Sequence, residues 1–209
     1  MSDYAQIEKR YNADEFLKFT ETETQRPGNE NNRYELIDGV IYMMASPSLT
    51  HYNVCKFIEK AFEKYFESKG CSIYNGSVNL FLFDKKRFAL FSLSKSKCEN
   101  VVIPDLMVVC NKTQIKNRGI FGAPDLVVEV VSESNSSNDY VRKLNAYLAF
   151  GVKEYWIVNP IKRIIRIYDM TVADDNLAEY NYTFNDTVYS ELFKSLCIDF
   201  KQFTGFVEG

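Results

Sequence analysis

Between His51 and Lys69 the apolar residues fall at Val54, Phe57, Ile58, Ala61, Phe62, Tyr65 and Phe66. That 3-1-3-1-3-1 spacing keeps one face of a helix apolar over about four turns, and Gly70 ends it. Upstream, Asp14 to Phe19 predicts a short helix capped by Asn12, and Thr20 to Asn32, with Pro27 and Gly28, predicts a polar loop. Tyr34–Ile37 and Val40–Met44 flank Asp38-Gly39, a dipeptide that takes the positive φ values of tight turns, so a hairpin is expected there, closed by Ser46-Pro47-Ser48. Ser72 to Phe83 alternates well enough for one strand.

Two short apolar strands follow, Val101 to Val109 and Pro124 to Val131, joined by the polar connection 111–123. A turn-forming run from Ser132 leads to Asn138 or Asp139 as the cap of a helix through Phe150, with Tyr140, Leu144, Tyr147 and Leu148 on one face and Gly151 at its end. Glu154–Val158 and Arg163–Tyr168 predict a hairpin around Asn159-Pro160, and Tyr180–Phe184 with Thr187–Tyr189 an edge pair. Residues 84–100, with Phe88, Leu90, Phe91 and Leu93 amid lysines, read as an excursion from the core.

Each of the two apolar strands carries one misplaced carboxylate, Asp105 and Glu129. Burying an unpaired carboxylate among branched aliphatic side chains costs several kcal/mol, so such residues are paired, protonated or bound to a metal. Strand geometry chooses their arrangement. Asp125 shares a face with Glu129 but stands roughly 13 Å away along the strand, too far to share one ion. If the two strands pair antiparallel, Asp105 meets Glu129 at roughly 5 Å, a metal-sized spacing, and Asp125 falls near Val109 as a loop cap. Lys143, on the helix after the Glu129 strand, is the candidate cation beside an attacking water, and Tyr147 offers a hydroxyl on nearly the same face.

Composition narrows the chemistry. The 209 residues, 46% hydrophobic and 15% aromatic, suffice for one well-filled core and predict one domain. No run approaches the roughly 18 apolar residues of a membrane span, and the first residues lack the build of a signal peptide, so a cytoplasmic protein is expected. The five cysteines are scattered without a Cys-x-x-Cys pair and His51 is the single histidine, which disfavours zinc. An ion here would take oxygen ligands, hence Mg2+ or Mn2+. A net charge of −3 argues against a surface built throughout for nucleic acid, although three local basic clusters exist: Lys85, Lys86, Arg87, Lys95 and Lys97; Lys112, Lys116 and Arg118; Lys162, Arg163 and Arg166.

The segments Tyr34-Glu35-Leu36-Ile37-Asp38-Gly39, Ser46-Pro47 with His51, Pro104-Asp105, Ala123 to Ser132, and Asp139 to Lys143 to Tyr147 followed by Gly151-Val152-Lys153-Glu154-Tyr155-Trp156 together resemble the Uma-type restriction endonuclease family, a branch of the PD-(D/E)XK nuclease superfamily. The resemblance covers roughly residues 33 to 168, leaving an N-terminal helix and loop (1–32) and a C-terminal extension (169–209). It implies an α+β, restriction-endonuclease-like fold, a central mixed sheet flanked by helices, and metal-dependent hydrolysis of DNA phosphodiesters. Asp105 and Glu129 match the superfamily's two acids, Glu35 an additional acid able to reach the same metal, and His51 a position in a supporting role. The superfamily lysine two residues after Glu129 is replaced by Val131, and Lys143 matches a family lysine on the next helix.

These readings converge on a Mg2+- or Mn2+-dependent endodeoxyribonuclease. Asp105, Glu129 and Glu35 would hold the ion, Lys143 would act on the water, and a homodimer would cut both strands by analogy with similar folds. Two alternatives stand beside it: an inactive nucleic-acid-binding or protein-interaction module that keeps the fold and has lost the chemistry, and a metal-dependent hydrolase of another phosphoester that uses the same residues.

Overall fold

In a computed structural model the described residues are 9–83, 98–132, 137–172 and 177–207, with the side chains of 137–139 apart. The predicted excursion falls mainly on 84–97, outside the described residues, as do the first basic cluster and the side chains of the cap candidates Asn138 and Asp139.

Helix α1 (Ala13–Thr24) opens with a reciprocal cap: Asn12 accepts from the backbone of Asp14 and Glu15, and the Glu15 carboxylate accepts from the Asn12 N–H. It runs five residues beyond the expected Phe19. The hydroxyls of Thr20, Thr22 and Thr24 donate back to carbonyls one turn earlier, so residues of low helix propensity are accommodated. Strands β1 (Arg33–Ile37) and β2 (Val40–Met44) form the expected hairpin, with φ of 49° at Asp38 and 76° at Gly39. Helix α2 (Leu49–Phe66) starts from Ser48, whose hydroxyl accepts the His51 N–H.

Among the described residues, and besides the short 3-10 helices Lys112–Gln114 and Phe200–Gln202, the remaining elements are β3 (Ser72–Asn75), β4 (Leu80–Leu82), β5 (Asn100–Val102), β6 (Leu106–Val109), β7 (Ile115–Lys116), β8 (Gly119–Phe121), β9 (Leu126–Val130), α3 (Ser137–Phe150), β10 (Glu154–Asn159), β11 (Ile164–Asp169), β12 (Ala178–Thr183), β13 (Thr187–Tyr189) and β14 (Cys197–Asp199). They make two six-stranded mixed sheets, ordered β2-β1-β5-β4-β8-β7 and β12-β11-β10-β9-β6-β3, and a β13–β14 pair. The fold class is mixed α+β, as expected, but the strands are partitioned differently. The strand predicted from alternation over Ser72–Phe83 and the apolar strand predicted over Val101–Val109 each break in two and pass from one sheet to the other, at residues 76–79 and at Ile103-Pro104-Asp105. Pro104 has no N–H to give a ladder, which stops the strand there. The expected Tyr180–Tyr189 edge pair does not form: β12 pairs with β11 and β13 with β14.

Strand β9 is buried on both faces. Leu126, Val128 and Val130 pack with α2, while Val127 faces the opposite core under α3. That second face is the one that carries Glu129, by the two-residue period of a strand.

Three features of the packing were not legible in the pattern. Glu154, fully buried, accepts from the Trp156 indole, from Ser190 Oγ at 3.0 Å and from the Leu192 N–H at 2.6 Å, so this carboxylate ties the sheet to the segment before β14. Its carboxyl is raised above 4.5 by burial, against those three donors. Cys71 and Cys110 flank β3 and β6, whose Ser72–Val109 register sets them opposite, and they form a disulfide. Gly119 has a φ of 139°, and a Cβ there would stand 2.3 Å from the Asn79 carbonyl oxygen. Gly119→Ala should therefore destabilise the fold by about 2–3 kcal/mol through strain and overpacking, read as a lower urea midpoint with an unchanged slope.

Candidate active site

Strands β6 and β9 pair antiparallel, with Leu106 opposite Val128 and Val108 opposite Leu126. Extending that register by one residue sets Asp105 beside Glu129, the arrangement that the sequence geometry favoured. The Val130 N–H donates to Asp105 Oδ2 at 2.7 Å and fixes the carboxylate at the strand end. The Pro104 break matters here too. Freed from the ladder, the Ile103 N–H donates to Glu35 Oε1 at 2.7 Å, so the first sheet delivers its own carboxylate to the point where the chain crosses into the second.

Helix α3 closes the arrangement from above. Lys143 Nζ lies 3.0 Å from Glu129 Oε1 and 3.0 Å from Glu35 Oε1, and the Tyr147 hydroxyl, one helical turn on, donates to Glu129 Oε1 at 2.7 Å. Val131, where the sequence resemblance sets the expectation of a lysine, is thus two residues beyond a carboxylate already paired to an ammonium from α3. Glu35, Glu129 and Lys143 are each at least 93% removed from solvent, so no bulk water screens them.

His51, on the first turn of α2, places Nε2 3.1 Å from Asp105 Oδ2. Cys55, four residues on, sets Sγ 3.7 Å from His51 Nδ1. The ligand atoms of His51, Cys55 and Asp105 lie within 4.8 Å of one another, the compact ligand group among the described residues. Sequence reasoning set cysteine aside because no Cys-x-x-Cys pair exists. The usable signal was the i, i+4 spacing of His51 and Cys55, which puts both on one helix face.

Charge and burial set the protonation. Burial pulls the Lys143 ammonium down, but Glu129 and Glu35 outweigh it and the net shift is upward, so this lysine stays charged. Burial pushes the Glu129 carboxyl up to about 7 against the opposing Lys143, with Asp105 and Glu35 adding to the rise. Burial lowers His51, yet the Asp105 carboxylate more than compensates and the imidazole is raised above 6.5. Burial holds the Cys55 thiol far above its ordinary range.

The group opens into a cleft of about 130 Å³ lined by Arg33, Glu35, His51, Asp105, Glu129 and Lys143, with β2 as its outer wall. Asp125 stays outside. Its Oδ2 accepts the Cys110 N–H at 2.8 Å and its Oδ1 meets Lys153 at 2.6 Å, the capping duty expected of it. Lys112, Lys116 and Arg118 are exposed just before and within the β7–β8 hairpin, at the edge of the first sheet opposite β2 and β1.

No described helix is long and apolar enough to cross a membrane. An uncharacterized protein of Synechocystis sp., slr1290, is 24% identical over 158 residues, covering 75% of this chain and 76% of its own length. The crystal structure of an Anabaena variabilis protein described as "a putative nuclease belonging to DUF820" superposes with a TM-score of 0.67 over 92% of this chain and 96% of that one, at 17% identity, and so shares the fold. Residues 13–200 match the Uma2 family model, described as "Putative restriction endonuclease", and the chain belongs to that family.

Proposed function

We propose that the protein is a Mg2+- or Mn2+-dependent endonuclease that hydrolyses DNA phosphodiester bonds at the cleft between β1, the β6–β9 pair and α3. One observation carries the reading: a buried, charged Lys143 stands 3.0 Å from two carboxylates that neighbour Asp105. A lysine serving only solvation would not be desolvated against two acids.

Three carboxylates line the cleft, donor types that suit a hard divalent cation, while the ligand atoms already within 4.8 Å of one another are those of His51, Cys55 and Asp105. Among the described residues, the hydrogen bonds to Glu35 and Glu129 fall on Oε1 and those to Asp105 on Oδ2, which leaves Oε2 of each glutamate and Oδ1 of Asp105 as oxygen donors. When bound, the ion supplies a lowered water pKa and a Lewis acid for a phosphoryl oxygen. The protein's residues do the rest. Lys143 Nζ orients the attacking water and offsets charge developing on phosphate, an effect strengthened by its dry surroundings. The Val130 N–H and His51 Nε2 hold Asp105 Oδ2, so the carboxylate presents its other oxygen to the cleft. Tyr147 and Lys143 hold Glu129 in one rotamer.

The test is a titration of the protein with Mg2+ and Mn2+ by calorimetry, beside cleavage of supercoiled plasmid in the same buffers and in EDTA. Metal binding with EDTA-sensitive nicking supports the endonuclease. Binding of neither metal at millimolar concentration, with intact plasmid, would leave a nuclease fold that binds without cutting.

A further inference from the structure

The sheet face that carries Glu129 continues past the cleft. Ile157 on β10 is the register partner of Glu129 on β9, about 4.8 Å away across the sheet. Beyond it α3 no longer covers the face, and a groove of about 420 Å³ opens over Val131, Ile157 and Ile164. Tyr140 and Leu144 of α3 form one wall, and Lys162 and Arg166 of the β10–β11 hairpin also line it, Arg166 in an exposed ion pair of 3.8 Å with Glu179 that a phosphate would have to displace. Ser132 lines both the groove and the candidate catalytic cleft, so the two lie side by side. The apolar residues at its mouth are exposed: Val141 keeps 55% and Ile161 57% of its accessible surface.

An apolar floor, a phenol wall and a rim of two cations match one kind of occupant, a flat aromatic ring attached to a phosphate. Base stacking on such surfaces contributes about 1–3 kcal/mol per base and is tolerant of sequence. Position decides the rest. A nucleotide next to one held in the cleft would lie toward Ile157, one strand from Glu129. A base paired within a duplex reaches a lateral groove only by leaving its stack, which costs a few kcal/mol.

We infer that this groove is a nucleobase subsite, which takes an unpaired base adjacent to the scissile phosphate while Lys162 and Arg166 hold that nucleotide's phosphate. The inference rests on the nuclease reading and narrows its substrate to single-stranded DNA or DNA with an unpaired base at the cleavage point. Val131 belongs to the same logic: an ammonium there would charge the groove floor, and Lys143 supplies that charge from α3 instead.

The test uses a fluorescein-labelled 12-nucleotide single strand, its duplex, and a series of single strands with one abasic residue walked along the chain, bound in Ca2+ and read by anisotropy. The single strand should bind at least about tenfold tighter than the duplex, and one abasic position should cost about tenfold. The double variant Val141→Ser/Ile161→Ser, altered only at exposed positions, should lose that position effect and retain Mg2+ binding. A flat abasic profile with equal duplex affinity overturns the subsite. So does a wild-type dimer in sedimentation that the double variant dissociates, which would give the groove to a second copy of the chain. Plasmid cleavage with a flat profile removes the subsite alone, whereas absence of cleavage on every substrate removes the nuclease reading beneath it.

Discussion

Lys143→Met is expected to abolish cleavage while making the fold more dependent on a divalent cation. The substitution keeps much of the side-chain volume and deletes the ammonium 3.0 Å from both Glu35 and Glu129. Two buried carboxylates then face each other without a counter-charge, a defect worth about 3–5 kcal/mol in comparable buried pairs. The metal-free variant should melt well below wild type. Mg2+ should raise its melting temperature by more than it raises that of wild type, because an ion can replace the lost charge. Activity should fall by at least about 10³-fold even at saturating metal, since the ion does not replace an ammonium aimed at developing phosphate charge. Equal metal-induced shifts in the two proteins, or activity within tenfold of wild type, would remove Lys143 from the site.

Glu129→Ala should separate metal binding from folding in the opposite way. Lys143 keeps Glu35 as a partner and Asp105 keeps its Val130 and His51 contacts, so the variant should fold. It loses the carboxylate at the centre of the group, together with the acceptor of the Tyr147 hydroxyl. Calorimetry should show no Mg2+ binding in the millimolar range, and plasmid nicking should fall below detection, at least about 10³-fold. Glu129→Gln is the control: its amide oxygen can still accept from Tyr147, so fold and packing are retained while the charge is not. Metal affinity retained in both variants would shift attention to the His51, Cys55 and Asp105 group, whose softer ligands favour other metals.

Glu154 shows why a buried carboxylate alone does not mark a site. It is as inaccessible to solvent as Glu129, yet its three donors are neutral groups of its own scaffold. Glu129 is met by an ammonium and a hydroxyl from a separate helix and shares its cleft with two other acids. The difference lies in the company a carboxylate keeps, which a strand's alternation pattern does not encode.

What the chain determines by itself is whatever depends on neighbours within a few residues. The apolar stripe of α2, the Asp38-Gly39 hairpin turn and the β9 run are local, because helix and strand periods are set by backbone geometry. The meeting of Asp105 with Glu129 was legible as well, since an antiparallel pairing of two recognisable strands leaves few registers. The tertiary structure alone decided where Pro104 ends a strand and which sheet each half joins, for that depends on the partners available to the freed N–H groups. It also decided that Lys143 faces inward, that Cys55 stands against His51, and that Cys71 meets Cys110 across β3 and β6. Apart from the Cys55–His51 contact, which the i, i+4 spacing of one helix already permits, these contacts join residues from elements distant in sequence, and only packing of both sheets against the helices brings them within reach.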